Sequence, residues 1–278
     1  MNPKISIIVP CYNQAAYLSE TLQSVLDQEY ADWECIIVND GSPDNTEEIA
    51  MQWFEKDSRF KYFYKTNSGV SDTRNFGIQQ ATGEYILPLD SDDKIESHYI
   101  SKALKVFEKN TDTKLVYSNS ILFGKKDEKI IAHEFNFERL LFENYIFCSA
   151  IFRKADFLKT SGYNPNMKHG LEDWDFWLTF LKKEDVVVKL DDFHFFYRIK
   201  DISRSQAIDI KKNESLLLQI FKNHTELYLS YVNPIRNYIE ANYYKEQEQV
   251  YKRSIEYKIG YIICTPIRII KKILKQIF

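Results

Sequence analysis

Short β-branched runs alternate with amphipathic segments through the first third of the chain, and that alternation limits the fold more than any other feature. Ile5 to Val9, Cys35 to Val38, Phe60 to Tyr64 and Tyr85 to Leu89 read as strands. Tyr17 to Leu26, Thr46 to Phe54 and Thr73 to Gln80 read as the helices between them. In the first helix Leu18, Leu22, Val25 and Leu26 recur at helical spacing. A doubly wound, mainly parallel α/β sheet is the economical packing for strands joined through helices.

Beyond Asp93 the rhythm loosens. Tyr99 to Phe107 reads as a helix, Lys114 to Ser118 as a strand, Cys148 to Phe152 as strand-like, Trp174 to Leu181 as a helix and Val186 to Tyr197 as extended. A polar helical segment, Ala207 to Tyr244, leads to a basic tail. With neither an internal repeat nor a flexible linker, the expected partition is a catalytic-type domain over residues 1–205 and a helical extension over 206–278. A chain of 278 residues can bury such a core without disulfide or metal staples. Its four cysteines, Cys11, Cys35, Cys148 and Cys264, form no CxxC pair or Cys/His cluster, so neither zinc nor a disulfide framework is suggested.

The N-terminus runs from Met1 straight into a strand rather than a signal peptide, and a cytoplasmic setting is expected. A net charge of −3 argues against nucleic acid as a partner. That average hides an asymmetry, since residues 251–278 carry +6 and the remainder −9.

Ligands of such sheets bind beyond the carboxyl ends of the strands. Three of those ends are polar: Pro10-Cys11-Tyr12-Asn13, Asn39-Asp40-Gly41-Ser42 and Asp90-Ser91-Asp92-Asp93. A glycine-rich dinucleotide fingerprint is missing after the first strand, which disfavours an NAD-type enzyme. The acidic segment Asp90 to Asp93 suits a hard divalent cation, or a solvated turn. Asp40 suits the hydrogen bonds of a base or ribose, or an Asp-Gly turn. Arg74, one turn into a helix after Asn67-Ser68-Gly69, suits a base or anion, or a structural salt bridge to Asp40 or Asp90. Glu172-Asp173 opens a helix, as an N-cap or as a positioned general base. The neighbouring His169 and the tryptophans Trp174 and Trp177 favour a site, because an aromatic wall beside a carboxylate suits a sugar ring. Tyr197-Arg198 with Ser203-Arg204-Ser205 reads as a diphosphate site or as a charge cluster at a strand end.

In order and approximate spacing, these six motifs resemble the family 2 glycosyltransferases over roughly residues 4 to 205. The resemblance implies the GT-A fold, a nucleotide-sugar donor, Mg²⁺ or Mn²⁺, and inversion at the anomeric carbon. It places Pro10, Tyr12, Asp40 and Arg74 in the nucleoside pocket, with Asn13, Asn67, Gly69 and Ser91 in the same nucleotide-binding motifs. Asp90 would sit at the ribose or metal and Asp92 on the metal. Asp173 would be the catalytic base, and Arg198, Lys200, His169, Glu172 and Trp174 would face the diphosphate or acceptor. One departure stands out: many relatives have a histidine where this chain has Lys200, leaving the metal one ligand fewer or a lysine charge partly replacing its work.

The expected activity is transfer from a nucleotide-diphosphate sugar, of UDP type, to a hydroxyl of a glycan or lipid-linked acceptor in cell-surface polysaccharide synthesis. A metal-dependent sugar nucleotidyltransferase is the rival enzyme, but residues 10–16 lack its phosphate loop. A non-catalytic nucleotide-sugar-binding scaffold would be marked by loss of Asp92 or Asp173, and both are present. In the tail, a helical wheel after Pro266 gathers Ile267, Ile269, Ile270, Ile273, Leu274, Ile277 and Phe278 on one half, and Arg268, Lys271, Lys272 and Lys275 on the other. Packing on the domain would use the same apolar half. The purely cationic opposite half favours an anionic membrane surface, placing the protein peripherally on the inner face of the cell membrane.

Overall fold

The computed structural model describes residues 4–200 and 210–259. Its first half follows the expected alternation. Strands β1 (Ile5–Cys11), β2 (Trp33–Asp40), β3 (Phe60–Lys65) and β4 (Tyr85–Pro88) are separated by helices α1 (Ala15–Leu26), α2 (Thr46–Lys56) and α3 (Val70–Gln80). All four strands run parallel, in the order β3-β2-β1-β4. Every residue of β1 and β2 is buried, as expected of central strands covered on both faces. Helix α1 buries Ala15, Leu18, Leu22 and Val25, one face at helical spacing. Gly77 lets α3 lie directly on the sheet, because a Cβ there would come within 2.5 Å of Ile8 Cγ2 and 3.2 Å of Val38 Cγ2.

The second half extends the same sheet with mixed polarity. It contains β5 (Lys94–Ile95), α4 (Tyr99–Lys109), β6 (Thr113–Gly124), β7 (Glu128–Ile130), α5 (Phe137–Leu140), β8 (Ile151–Arg153), α6 (Lys154–Phe157), α7 (Glu172–Phe180) and β9 (Val186–Ile199). The nine-stranded sheet runs β3-β2-β1-β4-β8-β6-β9-β5, with β7 on β6. Strand β8 is antiparallel to both β4 and β6, while β6 and β9 run parallel through two register shifts near Ser118 to Ser120. The strand expected from Cys148 begins only at Ile151, because the Ala150 N–H closes a turn onto the Phe147 carbonyl.

Helix α8 (Ile210–Asn223) belongs to this first unit, which runs to His224. Asn223 Nδ2 donates to Asp175 Oδ1 at 2.6 Å, and His224 Nε2 lies 3.1 Å from the same oxygen, which fastens the end of α8 to α7. The expected boundary at 205/206 lies outside the described residues. A second unit from Thr225 holds α9 (Thr225–Tyr231) and α10 (Pro234–Arg253), the latter capped by Asn233 Oδ1 on the Ile235 and Arg236 N–H groups. No helix among the described residues is long and apolar enough to cross a membrane. The amphipathic tail from Ile267 and the Ser203-Arg204-Ser205 cluster lie outside the described residues.

Parallel pairing brings the polar strand ends together. Cys11 lies opposite Asn39 across β1 and β2, and the Leu89 N–H donates to the Ile8 carbonyl at 2.9 Å. The segments that follow β1, β2 and β4 therefore open on one edge.

Candidate active site

Two adjoining cavities occupy that edge. The smaller, about 230 Å³, is lined by Pro10, Tyr12, Asp40, Asn67, Gly69, Asp90 and Ser91. The larger, about 430 Å³, is lined by Arg74, Asp90, Asp92, Glu172, Asp173, Arg198 and Lys200 among others. Gln14, Val70 and Asp90 line both.

Tight loops build the smaller cavity. Asn13 takes a left-handed conformation, φ 55°, which asparagine tolerates, and its N–H donates to Ser42 Oγ. It shapes the turn and lines neither cavity. Asp40 braces the following loop, its Oδ1 accepting from the Ser68 N–H (3.0 Å) and Lys65 Nζ (2.8 Å) and its Oδ2 from the Gly69 N–H (2.9 Å). Asn67 Nδ2 donates to the Asp40 carbonyl, and Gly69 (φ 95°) turns the chain into α3. Tyr12 is 48% exposed, offering its ring to a ligand. Lys168 also lines this cavity, and no motif in the sequence marked it.

Arg74 is fully buried. Its Nη1 donates to Glu172 Oε1 at 2.9 Å and its Nη2 to Asp90 Oδ1 at 2.5 Å. The salt-bridge reading of Arg74 therefore holds for Asp90, joined by a partner at the start of α7. Asp90 Oδ2 lies 3.7 Å from Cys148 Sγ, whose thiol burial pushes up.

Asp173 stands on the first turn of α7, after Gly170 (φ 129°) and the left-handed Leu171 (φ 60°). An αL leucine is uncommon strain of the kind that gathers at functional sites. Its Oδ1 accepts from the Trp174 N–H (2.8 Å) and Asn144 Nδ2 (3.1 Å). Burial first, then the charge of Glu172, raises its pKa to about 6, opposed by Arg74 and by those two hydrogen bonds. Asn144 belongs to no motif that the sequence marks.

The tryptophans do not form the expected wall. Trp174 is 4% exposed and donates Nε1–H to the Leu140 carbonyl at 2.6 Å, and Trp177 donates to the Ile146 carbonyl at 2.9 Å. A buried indole N–H requires a partner, and here it anchors the 140–148 segment. Tyr145, Phe147 and Tyr197 line the cavity instead. His169 is exposed and lines neither cavity.

Arg198 closes the other side. Its N–H donates to Asp93 Oδ1 (2.8 Å), its Nε to the Asp92 carbonyl (2.7 Å), and its Nη2 to Glu20. The guanidinium also lies over Phe123 and Tyr17. It holds the acidic turn in shape, and Lys200 beside it pairs with the Asp92 carboxylate.

The carboxylates of this turn are the hard oxygen donors that Mg²⁺ or Mn²⁺ takes. Buried Asp93 Oδ2 has no hydrogen-bond partner, so the set fits such an ion. Burial and the charges of Asp92 and Asp90 push the Asp93 carboxyl well above the usual range. Among the described residues, Asp90, Asp93 and Cys148 have ligand atoms within 4.8 Å of one another. A neutral thiol is a poor ligand for a hard ion, so the carboxylates would carry it. Asp92, the expected principal ligand, is ion-paired to Lys200.

A family model described as glycosyl transferase family 2 matches residues 6–167, more than half of the chain. The chain belongs to this family. Among its relatives, an uncharacterized glycosyltransferase of Rickettsia typhi is 33% identical over 198 residues, 66% of this chain and 61% of the relative. The minor teichoic acid biosynthesis protein GgaB of Bacillus subtilis is 30% identical over 256 residues, 83% of this chain but 28% of GgaB. The chain thus spans less than two thirds of these family 2 relatives. S. aureus TarS residues 1–349, solved with UDP-GlcNAc, matches with a TM-score of 0.62 at 18% identity, covering 84% of this chain and 77% of that one. The Pyrobaculum calidifontis mannosyltransferase PcManGT, solved with GDP-Man and Mn²⁺, matches at 0.57 with 15% identity, covering 96% and 87%. At that identity these structures establish the shared GT-A fold.

Proposed function

We propose that this family 2 chain transfers a sugar from a nucleoside diphosphate sugar, of uridine type, to a hydroxyl of a glycan or lipid-linked acceptor, inverting the anomeric carbon. The observation that carries the proposal is the pair of cavities meeting at Asp90 and Gln14, one framed by Tyr12 and Asp40, the other containing Asp173. In this reading the nucleoside occupies the smaller space, and its diphosphate and sugar extend toward Asp173 in the larger. The solved complexes of TarS with UDP-GlcNAc and PcManGT with GDP-Man support a nucleotide-sugar donor, and the teichoic acid relative supports a cell-surface polymer as product.

In this scheme Tyr12 stacks on the base, while Asp40 holds the 67–69 loop against it. Both hydrogen bonds to Asp173 fall on Oδ1, so Oδ2 is the oxygen to take the acceptor hydroxyl's proton. A pKa near 6 keeps the group ionised at neutral pH yet basic enough to share that proton. One base and one displacement invert the centre, with no nucleophilic carboxylate needed. A divalent ion, held by Asp90 with Asp92 or Asp93, would supply positive charge at the leaving diphosphate. Lys200 adds a cation from the chain itself. The basic tail would bring the site to a lipid-linked acceptor on the inner face of the membrane.

The test is thermal stabilisation of the purified protein by a panel of nucleotide sugars, with and without Mn²⁺. A rise with UDP-sugars, followed by release of UDP on turnover, is the expected result. No response to any nucleotide sugar would overturn the proposal.

A further inference from the structure

The Lys200 ammonium pairs with Asp92 Oδ2 and donates to Gln14 Oε1 at 3.1 Å, while lying 5.0 Å from the Tyr17 ring centroid. Both side chains of the ion pair are less than one-fifth exposed, and both line the larger cavity. Gln14 also lines the nucleoside cavity, so the ammonium stands close to the junction of the two. Of the other carboxylates of the acidic turn, Asp90 has Arg74, and Asp93 accepts the Arg198 N–H on Oδ1 while its buried Oδ2 has no partner. Asp92 therefore has a cation of its own, tethered by the chain.

We infer that Lys200 is a built-in counter-ion at Asp92 that competes with a divalent metal for this carboxylate and passes to the donor's diphosphate when nucleotide binds. The inference deepens the donor reading above and rests on it for its second half. An ammonium and a divalent ion cannot both sit on one carboxylate in a half-buried cleft without strong mutual repulsion. Metal binding to Asp92 Oδ2 in the free protein must displace the lysine from it. Phosphate oxygens offer the ammonium an equivalent partner, since lysine binds phosphate as a point charge with three donors. Besides Asp92, the ammonium contacts one amide and one ring among the described residues, partners that a rotamer change toward a phosphate would release. Nucleotide binding thereby becomes less dependent on metal than the acidic turn alone would make it.

Mn²⁺ titration of the full chain without nucleotide, following the paramagnetic resonance of free Mn²⁺, tests the competition. Lys200→Gln removes the charge and keeps a polar side chain, and Lys200→Ala serves as a second variant. Both should bind Mn²⁺ about tenfold more tightly than the parent, and adding Asp92→Asn to Lys200→Gln should remove the gain. Equal Mn²⁺ affinity in parent and variants would overturn the inference, as would a gain that survives Asp92→Asn. Calorimetric titration with UDP in excess chelator tests the second half. The parent should bind, and Lys200→Gln should bind appreciably only after Mn²⁺ is restored. Equal binding of UDP by both in chelator would overturn the transfer to diphosphate. Absence of UDP binding in every form, with or without Mn²⁺, would overturn the donor reading and leave the Mn²⁺ competition to stand or fall on its own titration.

Discussion

Arg74 and Glu172, 98 residues apart in sequence, form a buried ion pair of 2.9 Å that joins helix α3 to the first turn of α7. The same guanidinium holds Asp90 at the end of β4, so one cation fixes the spacing between the acidic turn and the helix that carries Asp173. Removing it leaves the buried Glu172 carboxylate without its cation and frees Asp90 beside it. Arg74→Ala should destabilise the first unit by about 3 kcal/mol or more, read as a lower midpoint in urea. Arg74→Lys should recover only part of this, because an ammonium cannot reach both carboxylates with a planar fork. A wild-type midpoint in Arg74→Ala would show that the pair is dispensable.

Glu172 also acts on its neighbour. Its negative charge is the second cause, after burial, of the raised Asp173 pKa of about 6. Transfer should fall as pH drops through about 6, because the base is then protonated. In Glu172→Gln that acid limb should move to lower pH, visible in kcat/KM profiles between pH 4.5 and 8. A limb that stays in place would remove the charge of Glu172 from the explanation.

Asp173→Asn separates stability from chemistry. A carboxyl raised above its unfolded value, about 3.9, has no effect on stability below that value. It then penalises the folded state progressively as pH rises toward 6, where the unfolded chain has already ionised. Above 6 the penalty is complete. The variant should therefore melt higher than the parent at pH 7.5 and nearly alike at pH 4, while transfer falls by about 10²- to 10⁴-fold with UDP affinity little changed. Near-normal turnover would sink the base assignment.

The sequence shows some of this plainly and some not at all. Strands β1 to β4 are legible because apolar runs in fully buried strands and helical periodicity between them are local signals. Strand β8 is legible as the extended run from Cys148 to Phe152, whereas β5 and β7, of two and three residues, are too short to carry a periodic signal of their own. The site residues divide in the same way. Carboxylates at strand ends could be picked out, with Arg74 offered to Asp40 or Asp90, but that Asp92 would hold Lys200 and that Arg74 would also hold Glu172 depends on contacts across the fold. The direction of Trp174 was misread because a tryptophan beside a carboxylate gives no sign of where its N–H will find a carbonyl.

That direction can be tested. Trp174→Phe removes the hydrogen bond to Leu140 and keeps a large ring in the core. The expected result is a loss of about 1 kcal/mol in urea melts, with the acceptor KM unchanged. A raised KM without loss of stability would return Trp174 to the cavity wall.

In the tail from Ile267, seven apolar side chains fall on one half of a helical wheel and four cations on the other, with no acid among them. A helix docked on protein has no reason to exclude acids, whereas anionic lipid favours each lysine or arginine near its surface by about 1 kcal/mol. The proposed anchor rests on four such charges and an apolar half, the combination by which amphipathic segments bind reversibly in the interface. Co-sedimentation with vesicles of mixed neutral and anionic lipid should retain the full chain, release it as salt rises, and fail with neutral vesicles. Truncation after Thr265 should abolish binding while the two cavities of the first unit keep their affinity for UDP. Equal sedimentation of the truncated and full chains would place the attachment elsewhere.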